Sequence, residues 1–254
     1  MFMNREFLHV SDCTQTLTDT VEMFDVVKNE NKLARFKEQA SFNDLNKEIK
    51  ETVLAAPQWI PFAAEKYNIS KDIKDYVITS VVIMPSDLPN RNGVAFPHTE
   101  LSSWCPDAGQ IMYNTWTGKP TFVEHNNKDH TQAKGVILSS AYKPMKGFKG
   151  DLWKVVCLAA FDRTRDPILC NDMLNNSVNN FSMGAYCSDY RCSITGNLFS
   201  KGQAENYTQL KKPSFQIVQG KLAYLDAIDP LGFELSYVKH PAFASAATSH
   251  KFMF

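Results

Sequence analysis

Residues 76–84 read YVITSVVIM, a run with no Gly, Pro, Asn or Asp in which β-forming side chains dominate. Such a run, bounded by turn residues, predicts a strand rather than a helix. Before it, EMFDVVKNENKLARFKEQASFNDLNKEIKETVLAA (22–56) alternates charged and apolar positions with helical spacing. Pro57 and Pro61 in APQWIPFAAEKYN are expected to break that pattern. After it, further short β-rich runs recur: PTFVEH (120–125), AKGVILSSAY (133–142), LWKVVCLAAF (152–161), FSMGAY (181–186), SFQIVQG (214–220) and GFELSYVKH (232–240). Pro, Gly and Asn separate them, as in antiparallel barrels and sandwiches. One helix is predicted within RDPILCNDMLNNSV (165–178), where Pro167 falls near the first turn. The expected fold is mainly β with helices (α+β). A helical N-terminal segment, 1–75, precedes an antiparallel β-barrel domain, 76–254.

Composition narrows the function classes. Lys plus Arg and Asp plus Glu number 27 each, so no net field draws the chain to nucleic acid or to an anionic membrane. No apolar run approaches the roughly 18–20 residues of a membrane-spanning helix. The start, MFMNREFLHV, carries charge where a secretory signal needs an apolar stretch, so a cytosolic product is expected. The 6 cysteines are scattered, which suits reduced thiols. The one close pair, Cys187 and Cys192, lacks two further ligands at zinc-knuckle spacing, and no metal or cofactor is expected.

Three titratable or nucleophilic residues fall on predicted strands among apolar neighbours: His125 in GKPTFVEHNNKD, Ser182 in NNFSMGAY and Glu234 in GFELSYV. A serine hydroxyl becomes a nucleophile when a base reaches it. Imidazole is the usual base near neutral pH, and a carboxylate holds the imidazole in the required tautomer. The same residues are also ordinary structural ones, so spacing alone leaves both readings open. The G-x-S-x-G elbow of esterases is absent around Ser182.

The portion from about Tyr76 to Ala244 resembles the prohead (procapsid) maturation proteases of tailed bacteriophages, in their large-myovirus branch, which share the fold of herpesvirus assemblins. Four segments carry the resemblance in order: LPNRNGVAFPHTEL (88–101), GKPTFVEHNN with KGVIL (118–127, 134–138), NNFSMGAY (179–186) and GFELSYVKHPAFASA (232–246). It implies a herpesvirus-protease type of barrel and a serine endopeptidase with Ser182 as nucleophile, His125 as general base and Glu234 as the group that orients the histidine. Asp189 or Asp229 replaces Glu234 if the strands pair differently. His130 is the rival base, and His240 is the alternative third member by analogy with the His-Ser-His arrangement of herpesviruses, over which the family motif favours Glu234. Arg163 and Arg165 are available cations for an oxyanion, with neither assigned. Relatives with Ser-Met-Gly often continue into a Cys-Ser-x-Cys-Gly knuckle, which CSITGN lacks at Thr195.

The resemblance also implies work inside the phage prohead, in the host cytoplasm. The partners it implies are scaffold, core and capsid proteins as substrates, with self-association and self-cleavage and with neither nucleic acid nor membrane. Relatives commonly cut after glutamate with a small or aliphatic residue two positions earlier. Ala63, Ala64 and Glu65 therefore mark an expected processing point in an exposed, proline-flanked linker that releases residues 1–65. The alternative is a non-catalytic capsid-associated or scaffold protein on the same fold.

Overall fold

The computed structural model describes residues 56–145, 152–175, 177, 179–200, 203, 217–218, 220–243, 246 and 248–253. The expectations for residues 1–55 and most of 201–216 lie outside these. The described chain is mainly β with few helices. Fifteen strands follow one another: β1 (Tyr76–Pro85), β2 (Val94–Ala95), β3 (Trp104–Cys105), β4 (Gln110–Ile111), β5 (Pro120–Val123), β6 (Gly135–Pro144), β7 (Trp153–Asp162), β8 (Phe181–Tyr186), β9 (Asp189–Cys192), β10 (Leu198–Phe199), β11 (Ile217–Val218), β12 (Lys221–Leu222), β13 (Leu225–Ile228), β14 (Leu231–Tyr237) and β15 (Thr248–Met253). Helices α1 (Ala56–Tyr67), α2 (His98–Leu101) and α3 (Pro167–Leu174) accompany them.

The main sheet has 7 strands in the order β15-β1-β7-β6-β5-β14-β8. Its pairs are antiparallel except β14 with β5, which run parallel. In a flat sheet, β7 and β8 would stand four strand spacings apart, roughly 19 Å. The rings of Phe161 on β7 and Phe181 on β8 are instead 5.7 Å apart. The sheet is therefore curled into a half-barrel. A smaller sheet, β10-β9-β13-β2, contributes Tyr190, Leu225, Ala227 and Val94 to the core enclosed by that curl.

Strand periodicity separates two faces. On β7, Val155, Cys157, Ala159 and Phe161 enter the enclosed core, while Leu158 and Ala160 join a second cluster on the outer face. Strand β1 divides likewise, with Val77 and Val81 inward and Tyr76 and Ile78 outward. All ten β1 residues are buried, which explains why YVITSVVIM shows no polar alternation. The outer cluster is covered by α1, whose buried Ile60, Ala63 and Tyr67 recur at i, i+3 and i+7. Tyr67 also donates its hydroxyl to the Gly118 carbonyl at 2.6 Å.

This helix corrects two expectations. Pro57 and Pro61 do not break the chain: Pro57 falls in the first turn, where no helical N–H is needed, and the loss of one bond at Pro61 is offset by burial of the apolar stripe. Residues 63–65 are not an exposed linker, since Ala63 and Ala64 are buried within α1. Elsewhere α3 occupies the middle of the predicted 165–178 helix. Asp166 caps it by accepting the Leu169 N–H at 3.0 Å, and Pro167 stands in its first turn. Strands β2, β3, β4, β9, β10, β12, β13 and β15 have no counterpart among the predicted runs.

Candidate active site

The parity that sorts apolar residues also places the polar ones. On β14, Leu235 belongs to the enclosed core, so Glu234 and Ser236 project from the outer face. On β8, Phe181, Met183 and Ala185 point inward, which leaves Ser182, Gly184 and Tyr186 outward. β14 and β8 pair with Ser236 opposite Ser182 and Glu234 opposite Gly184. Directly opposed residues in an antiparallel pair share a face, with Cα atoms about 4.5–5.5 Å apart. Ser182, Ser236 and Glu234 therefore form one polar group on the outer face, and all three are buried.

A bulge between Gly232 and Glu234 shifts this register. Without it Glu234 would lie one position along β14 and on the opposite face. Phe233, the residue inside the bulge, lays its ring over Gly184. A Cβ at Gly184 would come within 2.2 Å of the Phe233 Cζ. The Tyr186 ring lies against the same ring, tilted by 40° with centroids 4.7 Å apart. The glycine of the Ser-Met-Gly sequence is thus required by close approach of an aromatic ring.

His125 reaches the group through an unusual turn. β5 pairs parallel with β14, Val123 opposite Tyr237. Had β5 continued straight, residue 125 would be level with residue 239, five residues or roughly 17 Å beyond Glu234. Instead Glu124 and His125 adopt φ values of 49° and 54°. The Asn126 N–H bonds back to the Val123 carbonyl at 3.0 Å. Two successive left-handed residues closed in this way make a type I′ reversal, at positions where Asn-Gly is usual. Its geometry is tied to the end of β14: the Glu124 N–H donates to the Tyr237 carbonyl at 2.8 Å, and the Glu124 carboxylate accepts the Lys239 N–H at 2.8 Å. The strain of left-handed non-glycine residues is held by these contacts.

The reversal brings His125 Nδ1 to 2.8 Å from Glu234 Oε1, with side-chain exposures of 9% and 0%. The other carboxylate oxygen, Oε2, accepts the Ser236 hydroxyl at 2.5 Å. A carboxylate accepts and does not donate, so Nδ1 carries the ring hydrogen and Nε2 is the free basic nitrogen of the neutral ring. Among the described residues the Ser182 hydroxyl makes no hydrogen bond, to His125 or to another group. The structure thus brings His125 and Glu234 into direct contact and sets Ser182 one strand across from them on the same face.

The other candidates lie elsewhere. His130 sits on an exposed 3-10 turn (His130–Gln132) and stacks against Tyr67 with centroids 6.3 Å apart. Asp189 begins β9 and pairs with Ile228 in the smaller sheet. Asp229 accepts the Ser188 hydroxyl at 3.0 Å. His240 is exposed after β14. Arg163 donates to the Lys74 carbonyl, and Arg165 to the Thr131 carbonyl at 2.7 Å. Cys187 and Cys192 are buried and form no disulfide. Ser236 is the residue of the site that residue-by-residue reading passed over. Its signal was present, because a serine two positions after a buried strand glutamate lies on the same face. No family model matches the chain, and neither a curated protein nor a solved structure is significantly similar to it.

Proposed function

We propose that the chain is a serine endopeptidase of the prohead maturation type, with Ser182 as nucleophile, His125 as base and Glu234 as the orienting carboxylate on a curled sheet of herpesvirus-protease kind. The observation that carries the reading is the 2.8 Å contact between His125 Nδ1 and the buried Glu234 carboxylate, on the face that also holds Ser182. A buried carboxylate directed at an imidazole whose second nitrogen is free is the arrangement that general-base activation of a hydroxyl requires.

In the proposed reaction the Ser182 oxygen attacks the scissile carbonyl carbon while His125 Nε2 takes the hydroxyl proton. The proton passes to the departing amine as the C–N bond breaks, leaving an acyl-serine. Water then repeats the sequence: His125 removes its proton, the ester is cleaved and Ser182 regains its hydrogen. Glu234 stays ionised throughout and stabilises the imidazolium that forms twice per cycle. The Ser182–His125 hydrogen bond forms on substrate binding, since catalytic contacts are often long in uncomplexed enzymes. The scaffold, core and capsid proteins of an immature head are the proposed substrates, in keeping with the four-segment resemblance. Self-cleavage after Glu65 belongs to the same proposal, and α1 must unwind first because Ala63 and Ala64 are buried within it.

The test is labelling of the full chain with a serine-directed fluorophosphonate, followed by peptide mapping. Phosphonylation of Ser182 in the wild type and its loss in Ser182→Ala and His125→Ala variants are expected. An unlabelled wild type, under conditions that label a related active protease, returns the chain to a non-catalytic role in capsid assembly. Mass spectrometry of wild type and Ser182→Ala tests self-processing, and an identical N-terminus in both overturns it.

A further inference from the structure

Glu234 is fully buried, and a buried carboxylate oxygen without a partner is costly. One oxygen is satisfied by His125 and the other by Ser236, whose hydroxyl stands 2.5 Å away. Ser236 is itself fully buried and lies directly opposite Ser182 in the β14–β8 register. It has a single hydroxyl hydrogen, and Glu234 takes it, because an ionised carboxylate offers no hydrogen in return. The short contact is of the charge-assisted kind, stronger than a neutral hydrogen bond.

From this geometry we infer that Ser236 is a positioning residue, which locks the Glu234 carboxylate so that Oε1 stays on His125 Nδ1 and the ring keeps Nε2 free toward Ser182. The inference rests on the reading of Ser182 as nucleophile for its catalytic consequence, though the hydrogen-bond lock stands without it. Among the described residues the Ser236 hydroxyl bonds to Glu234 and not to Ser182 or His125, so it acts through Glu234. Removing its hydroxyl leaves Oε2 buried without a donor. Glu234 then rotates to share both oxygens with the imidazole or takes up a proton, and either change disturbs the tautomer.

The experiment uses the full chain and two readouts. One is the pH dependence of Ser182 phosphonylation by a fluorophosphonate. The other is the far-downfield Nδ1–H resonance of His125 in protein labelled with nitrogen-15 histidine. Ser236→Ala is expected to slow phosphonylation by about 10- to 100-fold, the range set by one lost hydrogen bond to a charged group. It should also displace the rising limb of the pH profile and displace or broaden the His125 resonance. Because the alanine variant leaves a cavity, the nearly isosteric pair Ser236→Thr and Ser236→Val isolates the hydroxyl: threonine should retain the wild-type limb and resonance, and valine should lose both. Equal behaviour of the threonine and valine variants overturns the inference, as does an alanine variant that lowers stability while the limb and resonance stay in place. If the wild type is never phosphonylated, the peptidase reading fails, and the resonance comparison alone decides the role of Ser236.

Discussion

Replacing Glu234 by glutamine separates charge from geometry at the site. The glutamine carbonyl can accept from His125 Nδ1 while its amide donates to the Ser236 oxygen, so both contacts of 2.8 and 2.5 Å have a neutral counterpart. What vanishes is the negative charge that faces the imidazolium. Two unit charges about 4 Å apart interact by about 4 kcal/mol at an effective dielectric of about 20. That amounts to about a thousandfold in rate at 1.36 kcal/mol per decade. Glu234 has no solvent exposure, so little of this is screened by salt. The assay is the second-order rate of Ser182 phosphonylation near neutral pH, with the thermal midpoint of each protein recorded alongside. The expected result is a loss of about a thousandfold with the fold intact. A variant that reacts within about tenfold of wild type refutes the reasoning, because the carboxylate would then be a satisfied core residue with no part in proton transfer.

Three further outcomes follow from the same structure. His130→Ala should phosphonylate within about threefold of wild type and His125→Ala at least about a thousandfold more slowly; the reverse pattern reassigns the base. Gly135→Ala would bring a Cβ to 1.9 Å from the Ala160 carbonyl oxygen, a main-chain atom that cannot give way cheaply. It should cost about 3 kcal/mol or more in denaturant unfolding, and a loss under about 1 kcal/mol would disprove so close an approach. Asp226, half-buried beside Asp87 and Glu100, has its carboxyl raised from 3.8 to about 6, chiefly by burial and against the pull of Arg191. The folded state therefore holds this proton more firmly than the unfolded one, and stability falls as pH rises from about 4 to about 6. Asp226→Asn should melt above wild type at pH 7.5 and level with it below pH 4; an equal gap at both pH values rules out titration as the cause.

Several features of this chain are written locally. YVITSVVIM becomes a strand because β-forming side chains suit an extended chain that is buried on both faces, and Asp166-Pro167 opens a helix because a side-chain acceptor and a residue without an N–H both suit a first turn. Period-2 alternation put Ser182 on one face of its strand and Met183 on the other, whichever strand came to lie beside it. The α1 stripe of Ile60, Ala63 and Tyr67 was equally legible, but the prolines outweighed it in a reading that had no surface against which to bury it.

The meeting of the site residues was not local. His125 and Glu234 are 109 positions apart, and their contact depends on β5 choosing β14 as a parallel neighbour. It depends as well on a bulge that selects the face of Glu234, and on a left-handed Glu-His reversal that turns the ring back over the sheet. None of these follows from propensity. A one-residue bulge and an Asn-Gly-like turn without Asn or Gly are held by contacts from distant segments: the Phe233 ring over Gly184, and the Glu124 ties to Tyr237 and Lys239. The sequence by itself determined which residues can face one another, because side-chain direction along a strand repeats every two residues. Only the tertiary structure decided which of them do, because strand pairing and register are chosen by the energy of the whole packed sheet.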